Sequence, residues 1–466
     1  MKTRLRKTLI LAACLVIIFE LTVLGMRHLR AYTLRANVVL ILLDTVRADR
    51  LGCYGNSEGL TPNIDRFAED SVRFEYAYSH APWTLPSVAS LYTSRHPMKH
   101  GAGGDINSFT ILPDSAQTLA EILRDAGAKT AAVVNVSFLT KTFGLHQGFG
   151  TMNVGREVGN EVCRTADQTT DAALTWLSQN GKKRFFLVVH YFDPHLIYDP
   201  PKEYRMRFAD AVDRDTEGTL FGSRQQMLAF RSGKLKLDEP LVRRLEKLHN
   251  AEIAFVDAQI GRLLSTLAEM KISDETVIVI TSDHGEEFWD HGGFEHGHTL
   301  YHELLHVPLI LHIPSGVDTR SIELKGKTVS LPLRHIDVAP TLCQLVGLET
   351  PDDFDGMAID ITSPDTEPTR PVLAQGNMWG PAGVSYQYDG HKVIQEASPG
   401  STLLFDITDD PMETRDISQA SPELTEKMVS LMNRLLDEQR HANAETDKAL
   451  LTETEKERLR SLGYMK

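Results

Sequence analysis

Residues capable of chemistry stand at the ends of apolar runs. Asp44 closes "NVVLILLD" (37 to 44), and Asp283 and His284 fall at the end of the run in "ETVIVITSDHGEE" (275 to 287). Two carboxylates and one imidazole form a hard, mixed O/N donor set that suits a divalent cation. Thr84 opens the apolar-periodic stretch "TLPSVASLYTS". A Thr there can cap a helix by accepting a bond from a free amide of the first turn. Beside a cation, the same hydroxyl is an activatable nucleophile. His190, His296 and His298 are candidates for a second metal, for leaving-group protonation or for contact with a developing oxyanion. Asp193 and His195 in "DPHLIYDPP" divide evenly between loop architecture and the site, and Arg47 and Asp49 read as a structural pair.

The elements that must position these residues alternate. Continuous β-branched runs at 37 to 44, 184 to 195, 275 to 287 and 307 to 314 read as buried strands. "TLAEILRDAGAKTAAVV" (118 to 134) reads as helix, Gly127 stop, then strand, and helices are expected near 241 to 270 and 337 to 348. This alternation predicts an α/β fold with a mostly parallel central sheet and helices on both faces. Ligands in such sheets bind beyond the carboxyl ends of the strands, where Asp44, His190, Asp193, Asp283 and His284 fall. From about residue 370 the texture changes. "GVSYQYDGHKVIQE" and "TLLFDITDD" read as antiparallel strands, followed by a helix near 421 to 446, which together make a small C-terminal α+β subdomain. Residues 202 to 240 read as a charged, irregular surface excursion.

The chain has 466 residues, 42% hydrophobic and 24% charged, enough for one large domain and a smaller one. A formal net charge of −14 and the lack of a basic tract argue against nucleic acid as a partner. Residues 8 to 26, "TLILAACLVIIFELTVLGM", are apolar apart from Glu20. At about 1.5 Å per residue they are long enough to span a bilayer. No small-residue cleavage site follows, so an uncleaved signal anchor is expected, with lipidation at Cys14 in "LAAC" as the alternative. Cys53, Cys163 and Cys343 form neither a disulfide framework nor a metal site. The expected organisation is therefore a stub, anchor and linker at 1–36, a catalytic domain at 37–369 outside the cytoplasm (periplasmic or extracellular), and the subdomain at 370–466.

Eight ordered segments carry a family resemblance. They are "NVVLILLDTVRADRLGCYG", "TPNIDRFAEDSVRFEYAYS", "TLPSVASLYTSRHP", "TLAEILRDAGAKTAAV", "VHYFDPHLIYDPP", "TSDHGEEFWDHGGFEHGHTLYHELLHVPLI", "LLFDITDDPMETRDIS" and "LRSLGYMK". From about residue 37 onward the chain resembles the sulfatase family of the alkaline phosphatase superfamily. That resemblance implies the α/β fold, a divalent metal (Zn, Ca, Mn or Mg) and ester hydrolysis through a covalent enzyme intermediate.

The departures are specific. Sulfatases place Cys or Ser, oxidised to formylglycine, where this chain has Thr84, and Arg where it has Val88. The Asp pair after the first strand is Asp44-Thr45, and the Lys-x-His segment reads Asn135-Val136-Ser137, which makes Asn135 a substrate-binding candidate. Thr nucleophiles do occur in phosphoethanolamine transferases and nucleotide pyrophosphatases of the same superfamily. Those enzymes hold zinc through a first-strand carboxylate, the Thr and an Asp-His pair, and the transferases keep a functional His at the position of His296. By this resemblance the metal set is Asp44, Thr84, Asp283, His284 and His296, with Thr84, His190 and His298 catalytic and His190, His298 and Asn135 contacting substrate. Thr84 is expected to be the nucleophile, with capping as a second duty.

The expected function is hydrolysis of phosphate or sulfate esters of a small molecule, glycan or lipid, phosphoryl esters favoured. The alternatives are a membrane-anchored phosphoethanolamine-type transferase acting on envelope glycan or lipid, and a catalytically silent binding protein that keeps the fold.

Overall fold

The computed structural model describes residues 34–155, 164–209, 224–317, 324–360, 369–397, 400–440, 446–461 and 464–465. Seven strands carry most of the central sheet: β1 (Asn37–Leu43), β2 (Val72–Tyr78), β3 (Lys129–Val134), β4 (Thr151–Val154), β5 (Phe185–Tyr191), β6 (Thr276–Ser282) and β7 (His306–His312). Starting from the short strand Thr328–Val329, their order is β2-β7-β6-β1-β5-β3-β4. β1 lies at the centre, parallel to both β5 and β6. The strand expected at 307 to 314 is present as β7, but it runs antiparallel to β2 and β6, which makes the sheet mixed, though mostly parallel.

Alternation along β1 explains why both faces are covered. Val38, Leu40 and Leu42 join one core with residues of the helices α2 (Thr84–Thr93), α3 (Leu119–Asp125) and α6 (His335–Val346). Val39, Ile41 and Leu43 join the opposite core with α1 (Pro62–Glu69), α4 (Ala166–Asn180) and α5 (Glu239–Glu269). A β-branched run with no polar face is what a strand buried on both sides requires. The helix expected after Thr118 starts with a reciprocal capping box between Thr118 and Glu121.

The C-terminal subdomain is a four-stranded antiparallel meander: β8 (Val372–Gln375), β9 (Gly383–Tyr388), β10 (His391–Glu396) and β11 (Thr402–Asp406). One face packs Leu373, Tyr386, Val393 and Leu404 against Met428, Met432 and Leu436 of α7 (Pro422–Arg440). Its other face packs Val372, Ala374, Ile394 and Phe405 on Tyr78, Leu300 and Leu305 of the main domain. Helix α8 (Glu453–Ser461) follows.

Two expectations are corrected. The excursion at 202 to 240 contains helices at Lys202–Phe208 and Arg224–Arg231, so it is not irregular throughout. The membrane-anchored, extracytoplasmic placement is withdrawn. It rested on the apolar length of residues 8 to 26, which lie outside the described residues together with Cys14. Among the described residues no helix is long and apolar enough to cross a membrane.

Candidate active site

The ends of β1, β5 and β6 are bolted together by the backbone. The amide of Asp44 donates to Tyr191 O (3.0 Å) and that of Asp283 donates to Leu43 O (3.0 Å). Asp44 and Asp283 are thereby set side by side at the carboxyl end of the sheet, with His190 one residue inside on β5.

Ordinary bonds consume Asp283 Oδ1, which accepts from the amides of Thr45 (3.3 Å) and His284 (2.9 Å). Its Oδ2, both carboxylate oxygens of Asp44, and both ring nitrogens of His190 are buried without a hydrogen-bond partner. Tautomer follows from geometry at His284. Nδ1–H donates to Gly285 O at 2.9 Å, which leaves the Nε2 lone pair facing inward. That nitrogen lies 3.4 Å from Asp283 Oδ2, 3.8 Å from Asp44 Oδ1 and 3.4 Å from Thr84 Oγ1.

Asp44, Asp283 and His284 thus offer three ligand atoms within 4.8 Å of one another, all buried. Burial of this many unpaired acceptors is expensive unless a cation compensates them. The titration pattern agrees. Burial and the neighbouring Asp44 charge push the Asp283 carboxyl up to about 6. Burial also raises Asp44, but the adjoining imidazoles of His190, His195 and His284 outweigh it and hold that carboxyl below its ordinary value. The donor set fits a divalent metal, which matches the expectation from sequence.

Thr84 reaches this point on α2, whose ten residues are all buried. Ser87, one turn on, donates its hydroxyl to Asp283 O (2.5 Å), tying the helix to the end of β6. Trp83 Nε1 donates to Gly376 O at 2.5 Å and fixes the approach. The capping expectation fails. Thr84 is the first helical residue, Trp83 occupies the cap position, and no side-chain cap bond is made. Its hydroxyl is aimed at His284 instead.

His296 stands beside the three-residue group. Its ring lies 4.5 Å from that of His284, its Nδ1 is 2.8 Å from Glu286 Oε1, and its buried Nε2 has no partner. Glu286 also accepts from Tyr198 Oη at 2.8 Å. Burial and the Glu295 charge push the Glu286 carboxyl well up. Burial and the charges of His284 and His195 hold His296 neutral, well below the ordinary range. His190 Nε2 is 3.2 Å from Asp44 Oδ2. His298 belongs to a neighbouring group, with Nε2 at 2.8 Å from Glu287 Oε2 and its ring stacked on Trp379 at 4.4 Å.

The substrate-binding expectation for Asn135 is corrected. Both Nδ2 protons are committed, to His190 O (2.6 Å) and Thr169 Oγ1 (3.0 Å), and Oδ1 accepts from Arg164 Nε (2.9 Å). Asn135 braces the end of β5. Asp193 is architectural as well, its Oδ1 accepting from the Ala166 amide at the start of α4 (2.7 Å). Arg47 pairs with Asp49 (2.7 Å) and Asp290 (2.9 Å), as a structural residue should.

Sequence reasoning gave no role to Glu286. The available signal was the acidic pair Glu286-Glu287 directly after Gly285 and before the apolar Phe288. Gly285 itself is dictated by space, because a Cβ there would stand 1.9 Å from Glu303 O.

A mostly parallel α/β sheet with a carboxylate–imidazole group at its carboxyl edge, next to a helix-borne hydroxyl, is an arrangement suited to metal-assisted ester hydrolysis. The family model described as Sulfatase matches residues 36–348, and the chain belongs to the sulfatase family. It is 24% identical to an N-acetylglucosamine-6-O-sulfatase of Bacteroides thetaiotaomicron, over 70% of each chain. It is 23% identical to an arylsulfatase of Clostridium perfringens, over 87% of this chain and 94% of the relative. Solved structures share the fold. A phosphonate monoester hydrolase of Agrobacterium radiobacter superposes with a TM-score of 0.69 at 21% identity, covering 90% of this chain and 99% of that one. A protein solved with its substrate D-glucosamine-2-N,6-O-disulfate gives a TM-score of 0.71 at 20% identity, covering 87% and 98%.

Proposed function

We propose that this protein hydrolyses anionic esters with Thr84 Oγ as the nucleophile, and that it prefers phosphoryl over sulfate esters. The observation that carries this reading is the Thr84 hydroxyl lying 3.4 Å from the inward-facing Nε2 of His284, within a group of otherwise unsatisfied acceptors. Asp44, Asp283 and His284 would hold a divalent cation of the Zn, Ca, Mn or Mg class, with Thr84 and His296 as the adjoining donors. The cation would supply Lewis acidity at this edge.

In the chain's own chemistry, Thr84 Oγ bonds to phosphorus as the bond to the leaving oxygen breaks. An imidazole takes up the Thr84 proton and hands it to the leaving oxygen, which balances the step. His190, whose Nε2 lies 3.2 Å from Asp44 Oδ2, is the first candidate for this transfer and His298 the second. Water then attacks phosphorus, the phosphorus–Oγ bond breaks, the imidazole passes a proton of the water to Thr84 Oγ, and the phosphate product leaves. Catalysis is assigned to residues 37–369, with 370–466 as support.

Two arguments favour phosphorus. Formylglycine discharges sulfate by collapse of a geminal diol, an exit that a Thr ester lacks, whereas a metal-assisted Thr site can be relieved by attack at phosphorus. A phosphoryl group also carries more negative charge than a sulfuryl group, and so gains more from a cation and several imidazoles. The curated relatives, named for sulfated sugars and aryl sulfates, support a glycan or small-molecule ester as the carrier.

Matched aryl phosphate, aryl phosphate diester and aryl sulfate substrates, assayed with defined metals, test the preference through kcat/KM. The expected order places a phosphoryl substrate first. Sulfate turnover faster than both would overturn it.

A further inference from the structure

Tyr464 stands in the segment after α8 and is 1% exposed. Its backbone hooks back on the helix, the amide donating to Leu459 O at 2.7 Å. The phenol oxygen meets His195 Nε2. His195 Nδ1 is 2.5 Å from Leu196 O, a carbonyl that can only accept, so Nδ1 carries the proton and Nε2 is the bare acceptor. The direction is therefore fixed, with Tyr464 O–H donating to His195 Nε2. His195 is itself 3% exposed and stacks on Phe192 at 4.5 Å.

The contact joins two walls of the site. On one side the His195 ring packs edgewise on His296 at 5.0 Å, and His296 lies 4.5 Å from His284. On the other, the Tyr464 ring packs on Phe138 at 4.8 Å, and Phe138 packs on Trp83 at 5.4 Å, the residue before Thr84. No other described element supplies a hydrogen-bond partner to His195 Nε2 in the structure. Removing the hydroxyl leaves a buried imidazole nitrogen unsatisfied and free to turn, while the ring packing of a Phe would persist.

We propose that Tyr464 is a positioning residue of the reaction, its hydroxyl setting the His195 imidazole against His296 and so fixing the wall that faces Thr84 and His284. This rests on the ester-hydrolase reading above. A loss mainly in the chemical step is expected, because among the described residues the Tyr464 hydroxyl bonds His195 rather than Thr84 or the carboxylates. A shift of this kind in the supporting shell of a site typically lowers activity 10- to 100-fold.

The test compares Tyr464→Phe, His195→Asn and the double variant in the full chain, on the best aryl ester. Tyr464→Phe should lower kcat about tenfold or more with KM within about twofold and a fall in Tm of no more than a few degrees, the cost of one unsatisfied buried nitrogen. The His195→Asn background should absorb most of that loss. Wild-type kcat in Tyr464→Phe, or full additivity in the double variant, would overturn the proposal. A fall in Tm much larger than this along with activity would make Tyr464 a packing residue only, and overturn it too. A wild type inactive on every ester would instead sink the hydrolase reading. The Tyr464–His195 bond can be read without turnover, from an imidazole ¹⁵N signature showing Nδ1 protonated and Nε2 accepting, which Tyr464→Phe should change. An unchanged signature would again overturn the proposal.

Discussion

Thr84 Oγ1 and His284 Nε2 face each other across 3.4 Å, and the opposite nitrogen of that imidazole is pinned to Gly285 O. The hydroxyl makes no cap bond to its own helix. Thr84→Ala is therefore expected to leave folding almost untouched while lowering turnover by roughly a thousandfold or more. Thr84→Ser should keep measurable activity. Steady-state rates alongside thermal melts check this, and an Ala variant with near wild-type rates would remove Thr84 from the reaction.

Asp44 and Asp283 bring three unpaired oxygens into the same buried point. Asp283→Asn removes a charge but keeps the amide-accepting oxygen that orients the loop. Metal content, measured by elemental analysis, and rate should collapse together, while the fold is retained. Full occupancy with full activity in this variant would show that the cation lies elsewhere.

Glu286 holds His296 Nδ1 and the Tyr198 hydroxyl at once. Because burial raises the titration of this carboxyl and favours its neutral form, Gln is a close mimic of it. Glu286→Gln is expected to retain activity within about tenfold, whereas Glu286→Ala frees the His296 ring and should cost about 10- to 100-fold. Equal kinetics for the two variants would contradict this support role.

A pH effect on stability arises away from the site, where His291 stacks on Tyr301 at 3.7 Å and bonds Glu303 at 2.9 Å. Burial alone lowers this imidazole, but the Glu303 bond and charge overcome it and raise it to about 9. A folded-state value above the unfolded one stabilises fully below about pH 6.5 and loses that stabilisation as pH rises through about 9. Melting temperatures of wild type and His291→Phe should differ most near pH 6 and converge near pH 10. A gap that widens with pH would reverse the sign.

Much of this arrangement was legible in the chain. β-branched runs that end on a polar residue mark buried strands and the edge where their side chains emerge, which placed Asp44, Asp283 and His284 together before any coordinates. The run at 307 to 314 could not disclose its direction, because a short apolar strand looks the same either way, and it proved antiparallel. Asn135 was assigned by its position in a family pattern, yet its amide is consumed by His190 O and Thr169, a fact set by tertiary contacts. Tyr464 and Glu286 act through partners more than 80 residues away along the chain, His195 and Tyr198. Local pattern carries no such information. The Thr84 cap failed for a related reason: the helix starts one residue earlier than the cap rule assumed, and the hydroxyl had a better partner in His284.

The central claim is that Thr84 Oγ becomes covalently bonded to the transferred group. Rapid acid quench during turnover of an aryl phosphate, followed by proteolysis and peptide mass spectrometry, tests it directly. A phosphoryl adduct is expected on the peptide that contains Thr84, formed and lost at rates that account for kcat and absent from Thr84→Ala. Steady turnover with no adduct on that peptide under any quench time, or an adduct on another residue, would contradict the account.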